Sequence, residues 1–249
     1  WVMVNVLGQF PPASINALLG VEDVERAMKR NPPRDAWSWA QRRLGVDAAR
    51  FGDDPWVLFA RQGRMSWMPQ VLRHPRTTEV AARIQQVAAT WHPEFVFFDE
   101  TGHWGHGAFD LCQAAGLPMV PVIYSAKAST KRYKNIRAEM YVALAEWVRQ
   151  GGALPSDPDL VGELTEPTYT FVGGQFVLED KDRIKARLGR SPNKGDALAQ
   201  TFAFPDQPGE VMARLQGPTR AETDFDPYAE TVPGRAETDA NPFVSGVLR

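Results

Sequence analysis

The stretch Arg43-Leu44-Gly45-Val46-Asp47-Ala48-Ala49-Arg50-Phe51-Gly52-Asp53-Asp54, continued by Pro55-Trp56-Val57-Leu58-Phe59-Ala60, decides how this chain is read. A short apolar run ends in one acid, a polar turn with a glycine follows, and a second apolar run begins. The pattern predicts strand, turn, strand, with Asp47 closing the first strand. An acid buried there needs water, a cation or a hydrogen-bond donor. Taken alone, such an aspartate does no more than cap a turn, and Asp53 and Asp54 are read as a turn ahead of Pro55. Two further stretches change the weight of Asp47. Glu94-Phe95-Val96-Phe97-Phe98-Asp99-Glu100-Thr101-Gly102 is another apolar run that ends in acid and glycine. Ser191-Pro192-Asn193-Lys194-Gly195-Asp196-Ala197-Leu198-Ala199 places a third acid at the opening of an apolar helix.

Working outward, Trp56–Gln62 and Met65–Gln70 read as the second and third strands of a meander, with a turn at Gly63. Thr77–Trp91 has helical spacing of Val80, Ile84, Val87 and Trp91, with Thr77 or Thr78 as the expected cap. Phe95–Phe98 is apolar on both faces, as a central strand is. A helix over 108–115, a strand over 119–124 and a helix over 136–150 follow. Gly151-Gly152 ends the last of these. Tyr169–Leu178 alternates on both sides of Gly173-Gly174, the signature of a hairpin. Residues 181–190 are basic, and a last amphipathic helix is expected over 196–204. Strand-helix-strand units require parallel neighbours. The order therefore predicts an α/β fold, a ribonuclease H-like mixed sheet flanked by helices with an additional β-hairpin. Asp47 and Asp99 would end adjacent strands, where ligands gather in open sheets.

Composition divides the chain. Of 249 residues, 205–249 carry eight acids and four arginines, leaving 1–204 with 22 acids against 24 basic side chains. The tail is rich in Pro, Gly, Asp, Glu and Thr. It repeats one word, at Arg220-Ala221-Glu222-Thr223-Asp224 and Arg235-Ala236-Glu237-Thr238-Asp239. Such a segment is expected to be disordered or draped on the body, because it has too little apolar surface to offset its ordering entropy. The expected division is a lead-in at 1–36, a globular domain at 37–204 and an acidic tail at 205–249. The lone Cys112 sits in a helical apolar pattern and reads as a core residue. No run reaches membrane-spanning length, so no membrane is expected as a partner. No Walker-type phosphate loop is present, which argues against an ATPase.

Three acids brought together repel one another unless a cation lies between them. Hard oxygen ligands suit Mg²⁺ or Mn²⁺, and two such ions activate water and stabilise the leaving oxygen in phosphodiester cleavage. Asp47, Asp99 and Asp196 are accordingly the candidate catalytic and metal-ligating residues. Glu100 should point to the other side of its strand and be structural. His103 and His106 lie on the glycine-rich loop that follows. Two basic stretches are candidates for double-stranded DNA: Lys127, Lys131, Arg132 and Lys134, next to Arg137, and then Lys181, Lys185, Arg187 and Lys194, with Arg183 and Arg190.

The run Tyr133-Lys134-Asn135-Ile136-Arg137-Ala138-Glu139-Met140, then Leu154-Pro155, the hairpin, and Lys181 through Leu198 resemble the nuclease domain of tailed-bacteriophage terminase large subunits. Gly45-Val46-Asp47 and Phe98-Asp99-Glu100-Thr101-Gly102 resemble its first two acidic motifs. Val6-Leu7-Gly8-Gln9-Phe10-Pro11 resembles the segment that joins the packaging ATPase to the nuclease. The resemblance implies metal-dependent endonuclease cleavage of concatemeric double-stranded DNA, with Asp47, Asp99 and Asp196 in the catalytic roles. It also implies an ATPase domain on the same protein, a terminase small subunit and a portal protein as partners, in the host cell cytoplasm at the procapsid. Asn193 stands where the family often has an acid. Within the same architecture, a junction resolvase or integrase is the alternative. From other classes come an actin-like ATP-binding domain, which expects further glycine-rich loops, and a DNA-binding module without catalysis, which the three acids argue against.

Overall fold

The structure is a computed structural model, and it describes residues 16–48, 55–102 and 105–209. The run Val6–Pro11, Asp53, Asp54, His103 and the repeated word of the tail lie outside the described residues. By internal contacts the chain divides into the units Trp1–Leu215 and Gln216–Arg249, and every described residue belongs to the first.

Helix α1 (Val21–Met28) precedes strand β1 (Arg42–Asp47), which is followed by β2 (Trp56–Gln62), β3 (Met65–Ser66) and β4 (Gln70–Leu72). Helix α2 (Thr77–Trp91), β5 (Phe95–Asp99), α3 (His106–Ala114) and β6 (Met119–Val122) come next. Then follow α4 (Ile136–Arg149), α5 (Pro158–Thr165), the hairpin β7 (Tyr169–Val172) and β8 (Gln175–Leu178), α6 (Lys181–Leu188) and α7 (Asn193–Gln200). Six strands form one mixed sheet in the order β3-β2-β1-β5-β6, with β4 also paired to β2. β1 is central, antiparallel to β2 and parallel to β5, and β5 is parallel to β6. Helices cover both faces, and the hairpin forms a sheet of its own. The expected ribonuclease H-like arrangement is present.

The alternation of β1 sets the layers. Leu44 and Val46 face α2 and α3, in a cluster with Ile84, Phe98 and Cys112. Arg43, Gly45 and Asp47 point the other way, as a strand period of two demands, toward α7 and the cluster that includes Val24, Phe97, Met140 and Leu198. Gly45 occupies the point of closest approach: a Cβ there would lie 1.8 Å from the Ala197 carbonyl oxygen on α7. The absence of a side chain lets that helix press on the strand.

Several boundaries differ from the sequence reading. The single third strand over 65–70 is two short strands. Pro69 has no N–H to donate to a ladder, and 67–69 leave the sheet between them. β6 ends at Val122 rather than 124 and, as the edge strand, is partly exposed. α2 is capped by the Glu79 carboxylate, which accepts from the Arg76 N–H (2.9 Å), not by a threonine. α5 was not anticipated, although Asp157-Pro158 is a start signal: the Asp157 side chain accepts from the Asp159 N–H and proline stands in the first turn. The basic stretch 181–190 is largely helix α6, and α7 begins at Asn193 rather than Asp196.

The expected lead-in is part of the core from Leu18 onward, with Val24 and Ala27 of α1 fully buried. The boundary expected after Phe204 falls inside packed structure. Asp206 pairs with two buried arginines, Arg61 (2.7 Å) and Arg43 (3.2 Å), Pro208 forms a β-bridge with Ala40, and the Gly209 N–H donates to the Trp39 carbonyl (2.7 Å). Composition alone missed this strap because its anchors are buried arginines far away in sequence.

Candidate active site

Asp47 and Asp99 end the neighbouring parallel strands β1 and β5, whose register pairs Val46 with Phe98. The next residue of each strand is therefore an aspartate on the α7 side of the sheet. Asp196 comes from the first turn of α7. That turn is placed by Glu163 on α5, whose Oε2 accepts from the Gly195 N–H (2.9 Å), while Arg190 pairs with its other oxygen. Glu163 is itself fully buried, and burial raises its pKa.

The three carboxylates come together with two cations. Lys181, at the start of α6, lies 2.8 Å from Asp196 Oδ2 and 3.6 Å from Asp47 Oδ1. Arg137 on α4 lies 3.4 Å from Asp196 Oδ1, which also accepts from the Tyr141 hydroxyl (2.7 Å). Asp99 Oδ1 accepts from the Thr101 N–H (2.8 Å). Tyr124 Oη lies 3.3 Å from Asp47 Oδ1 and 2.9 Å from the Gln200 side-chain amide. Asp47 Oδ2 is buried with no hydrogen-bond partner among the described residues.

Electrostatics separates the acids. Burial opposes ionisation of Asp196, but Lys181, Arg137 and Tyr141 hold its pKa below the usual carboxylate value. Burial drives the pKa of Asp47 well up; Lys181 counters it, while Asp196 and Asp99 push it further. Asp99 is raised by burial, with Thr101 working against the shift. Burial lowers the pKa of Lys181, but Asp196 and Asp47 outweigh it and raise the net value. Tyr124 and Tyr141 are raised first by burial, then by Asp196. Two cations face three carboxylates, and Asp47 is the acid whose ionisation burial and its acidic neighbours oppose most.

Among the described residues no three His, Cys, Asp or Glu side chains form a ready-made metal cage; the Lys181 ammonium stands between Asp47 and Asp196 instead. The donor set nevertheless fits a hard divalent cation. Its donors are carboxylate oxygens, one of them buried and unpartnered, and the acids raise one another's proton affinity. The cleft beside them is lined by Asp99, Tyr124, Arg137, Lys181, Lys185 and Asn193.

Other expected site residues are placed as follows. Glu100 points away from Asp99, and its Oε2 lies 3.2 Å from His106 Nδ1. Asn193 is buried and donates from Nδ2 to the Pro55 carbonyl (3.0 Å). Lys127, Lys131, Arg132 and Lys134 are exposed and form no ion pair among the described residues. The second basic group is mostly engaged within the protein. Lys181 is held by the carboxylates, Arg187 pairs with Glu179 (2.5 Å) and Glu166 (2.9 Å), and Lys194 pairs with Asp157 (2.5 Å) and Asp159 (2.8 Å). Lys185 is exposed at the cleft. The sequence reading did not assign Tyr124, Arg137 or Tyr141 to the acids. Arg137 and Tyr141 are four residues apart on α4, a spacing that puts both on one face.

A ribonuclease H-like sheet with acids at the ends of two parallel strands and a third on a facing helix defines the class of fold. The nuclease domain of the large terminase subunit gp2 of bacterial virus Sf6 is similar in structure, at a TM-score of 0.58 and 20% identity, over 76% of this chain and 99% of that one. A mutant of that domain with manganese and beta-thujaplicinol matches at 0.59 and 20% identity, with the same coverage. The large terminase nuclease from thermophilic phage G20c with bound magnesium matches at 0.51 and 16% identity, over 76% of this chain and 98% of that one. No family model and no curated protein matches the chain. Among the described residues no helix is long and apolar enough to cross a membrane.

Proposed function

We propose that this chain is a divalent-metal-dependent endonuclease for double-stranded DNA, the nuclease part of a viral DNA-packaging terminase that cuts concatemeric genomes. The observation that carries the reading is the meeting of Asp47, Asp99 and Asp196 with too few cations to balance them, beside an open cleft. Asp47, Asp99 and Asp196 would hold Mg²⁺ or Mn²⁺, two ions in the full reaction. The metal supplies a lowered pKa for an attacking water and charge stabilisation at the leaving oxygen. Asp196 is kept ionised by Lys181 and Arg137 and so presents a permanent negative charge. Asp47 gives up a proton readily only when a further cation approaches. Thr101 fixes Asp99 through its backbone N–H, and Lys181 lies where it can neutralise charge on a bound phosphate. The exposed Lys127–Lys134 group offers phosphate contacts that position a duplex without reading bases. An ATPase domain, a small subunit and a portal protein as partners, at the procapsid in the host cytoplasm, belong to the same reading.

The test is cleavage of supercoiled plasmid by the purified chain with Mn²⁺ or Mg²⁺. Nicked and linear products are expected with metal and none with chelator. Asp99→Asn should stop cleavage by at least about 10²-fold while leaving the fold intact. A folded Asp99→Asn protein that cuts like the parent would refute the assignment.

A further inference from the structure

The tip of the β7–β8 hairpin carries the two most exposed large apolar side chains among the described residues, and the site above does not use them. Phe171 and Val172 are adjacent, and they are 63% and 61% exposed. Successive residues of a strand point to opposite faces, so the tip is apolar on both sides. A hairpin meant to lie flat on a partner would be apolar on one face and polar on the other. Apolar groups on both faces suit a blade that is surrounded on both sides.

The blade is thin and stiff. Gly173 and Gly174 both have positive φ, 58° and 80°, the requirement of the tight turn whose two central residues are left-handed. A side chain at either would meet nothing within 4 Å, so the turn is bare and protrudes. Behind it Phe171 crosses Phe176 at 5.8 Å and Tyr169 at 5.9 Å, Tyr169 stacks on Phe176 at 4.7 Å, and Tyr133 closes on Phe176 at 6.1 Å. The basic loop is tied to the same element. Phe176 N–H donates to the Arg132 carbonyl (2.8 Å), Lys134 N–H donates to the Phe176 carbonyl (2.9 Å), and Gln175 Nε2 donates to the Lys131 carbonyl (3.1 Å). Exposed Lys131, Arg132 and Lys134 therefore flank an apolar blade.

The base of the blade reaches the cleft. Phe171 pairs with Phe176, two residues before Leu178, which lines the cleft together with Asp99 and Lys181. The hairpin therefore leads from the wall of the cleft out to its bare tip.

Resting on the nuclease reading, we infer that the hairpin tip is a wedge for duplex DNA: Phe171 and Val172 enter the minor groove beside the cleft and partly unstack a base step there. Lys131, Arg132 and Lys134 hold the flanking phosphates. Apolar wedges of this kind loosen stacking without reading sequence, which suits an element that carries no polar side chain at its turn.

The experiment measures binding of the full chain in metal-free buffer to short duplexes with 2-aminopurine at staggered positions, across a salt series. The parent should raise the fluorescence of the probe at some positions, as an unstacked base does. Val172→Thr should keep the parental melting temperature, and Phe171→Ser, which also loses its ring contacts to Tyr169 and Phe176, should lower it only slightly. They should abolish the rise and weaken binding about tenfold, the scale of one lost apolar contact to a base. Their log-log salt slope should stay that of the parent, because no phosphate contact is lost. Lys131→Ala with Lys134→Ala should instead flatten the slope by about 0.9 per contact. Parental affinity and fluorescence in both tip variants would overturn the wedge and leave the tip to a protein partner, while metal-dependent cleavage by the parent would still stand. A parent that neither binds nor cuts duplex overturns both readings together.

Discussion

Asp206→Ala tests how the two halves of the site are held in register. Arg43 lies on β1, four residues before Asp47, and its guanidinium donates to the carbonyls of Thr201 (2.9 Å), Phe204 (2.6 Å) and Pro205 (2.6 Å) beyond the end of α7. Arg61 on β2 donates to the Thr201 carbonyl (2.9 Å) and hydroxyl (2.8 Å) and stacks on Phe202 at 4.0 Å. Both arginines are almost fully buried, at 1% and 0% exposure, and Asp206 is the carboxylate that pairs with both. Burial already pulls the Arg43 pKa down to about 10, Asp206 works against that shift, and Arg61 adds to it. Removing the carboxylate leaves two buried cations facing each other with only neutral partners. Breaking a fully buried pair costs about 3–5 kcal/mol; the Asp206 side chain is 23% exposed, so solvent screening brings the expected loss to about 2–3 kcal/mol. For a domain of this size that is a fall in melting temperature of about 5–10 °C, read by circular dichroism in metal-free buffer. A chain ending at Phe204 should lose at least as much, since it also removes the Pro205 carbonyl. Melting of Asp206→Ala within about 2 °C of the parent would refute the reasoning, because it would mean that the arginines find other anions or that their charges are not desolvated.

Gly45→Ala should prevent α7 from seating on β1, because the new methyl would meet the Ala197 carbonyl at 1.8 Å. The expected result is a destabilisation of about 3 kcal/mol or an insoluble protein, with cleavage reduced more than melting temperature in any folded fraction; a stable, fully active Gly45→Ala protein would contradict the close approach. Asp47 makes a pH prediction. Its native pKa is raised, so between the ordinary carboxylate value near ~4 and the raised value the native state holds a proton the unfolded chain has released. Its contribution to stability is therefore lost as pH rises through that window in metal-free buffer. Asp196 is lowered and has the opposite sign, with stability lost as pH falls. The melting temperature of Asp47→Asn minus that of the parent should accordingly grow as pH rises from the acid range to neutrality, and Mn²⁺ should stabilise the parent and not the variant. A difference that is flat with pH would remove Asp47 as the acid whose ionisation is most opposed.

Much of the fold was legible because it rests on local patterns. Arg43 to Asp47 alternates with a period of two, Phe95–Phe98 is apolar throughout, and Gly173-Gly174 sits between alternating runs. Each follows from how strands bury one or both faces. Those patterns placed Asp47 and Asp99 at strand ends, and parallel pairing of β1 with β5 brought the ends together. The side chosen by Glu100 followed from the same period. What local pattern could not supply is what the acids meet. Lys181 and Arg187 read as one basic stretch, yet Lys181 lies against Asp47 and Asp196 while Arg187 braces Glu179 and Glu166. Their difference is a matter of which face of α6 turns toward the cleft, set by the burial of Ile184. Arg137, Tyr124 and Tyr141 became partners of the acids only when α4 and the end of β6 packed over the sheet. Asp206 looked like the first charge of an acidic tail, and it belongs to the body because it pairs with two buried arginines on β1 and β2. The sequence by itself determined which side chains lie on which face of each element, since that depends on the strand and helix periods. The tertiary structure alone decided which charges are left without a counterion, because burial and pairing are properties of the assembled layers.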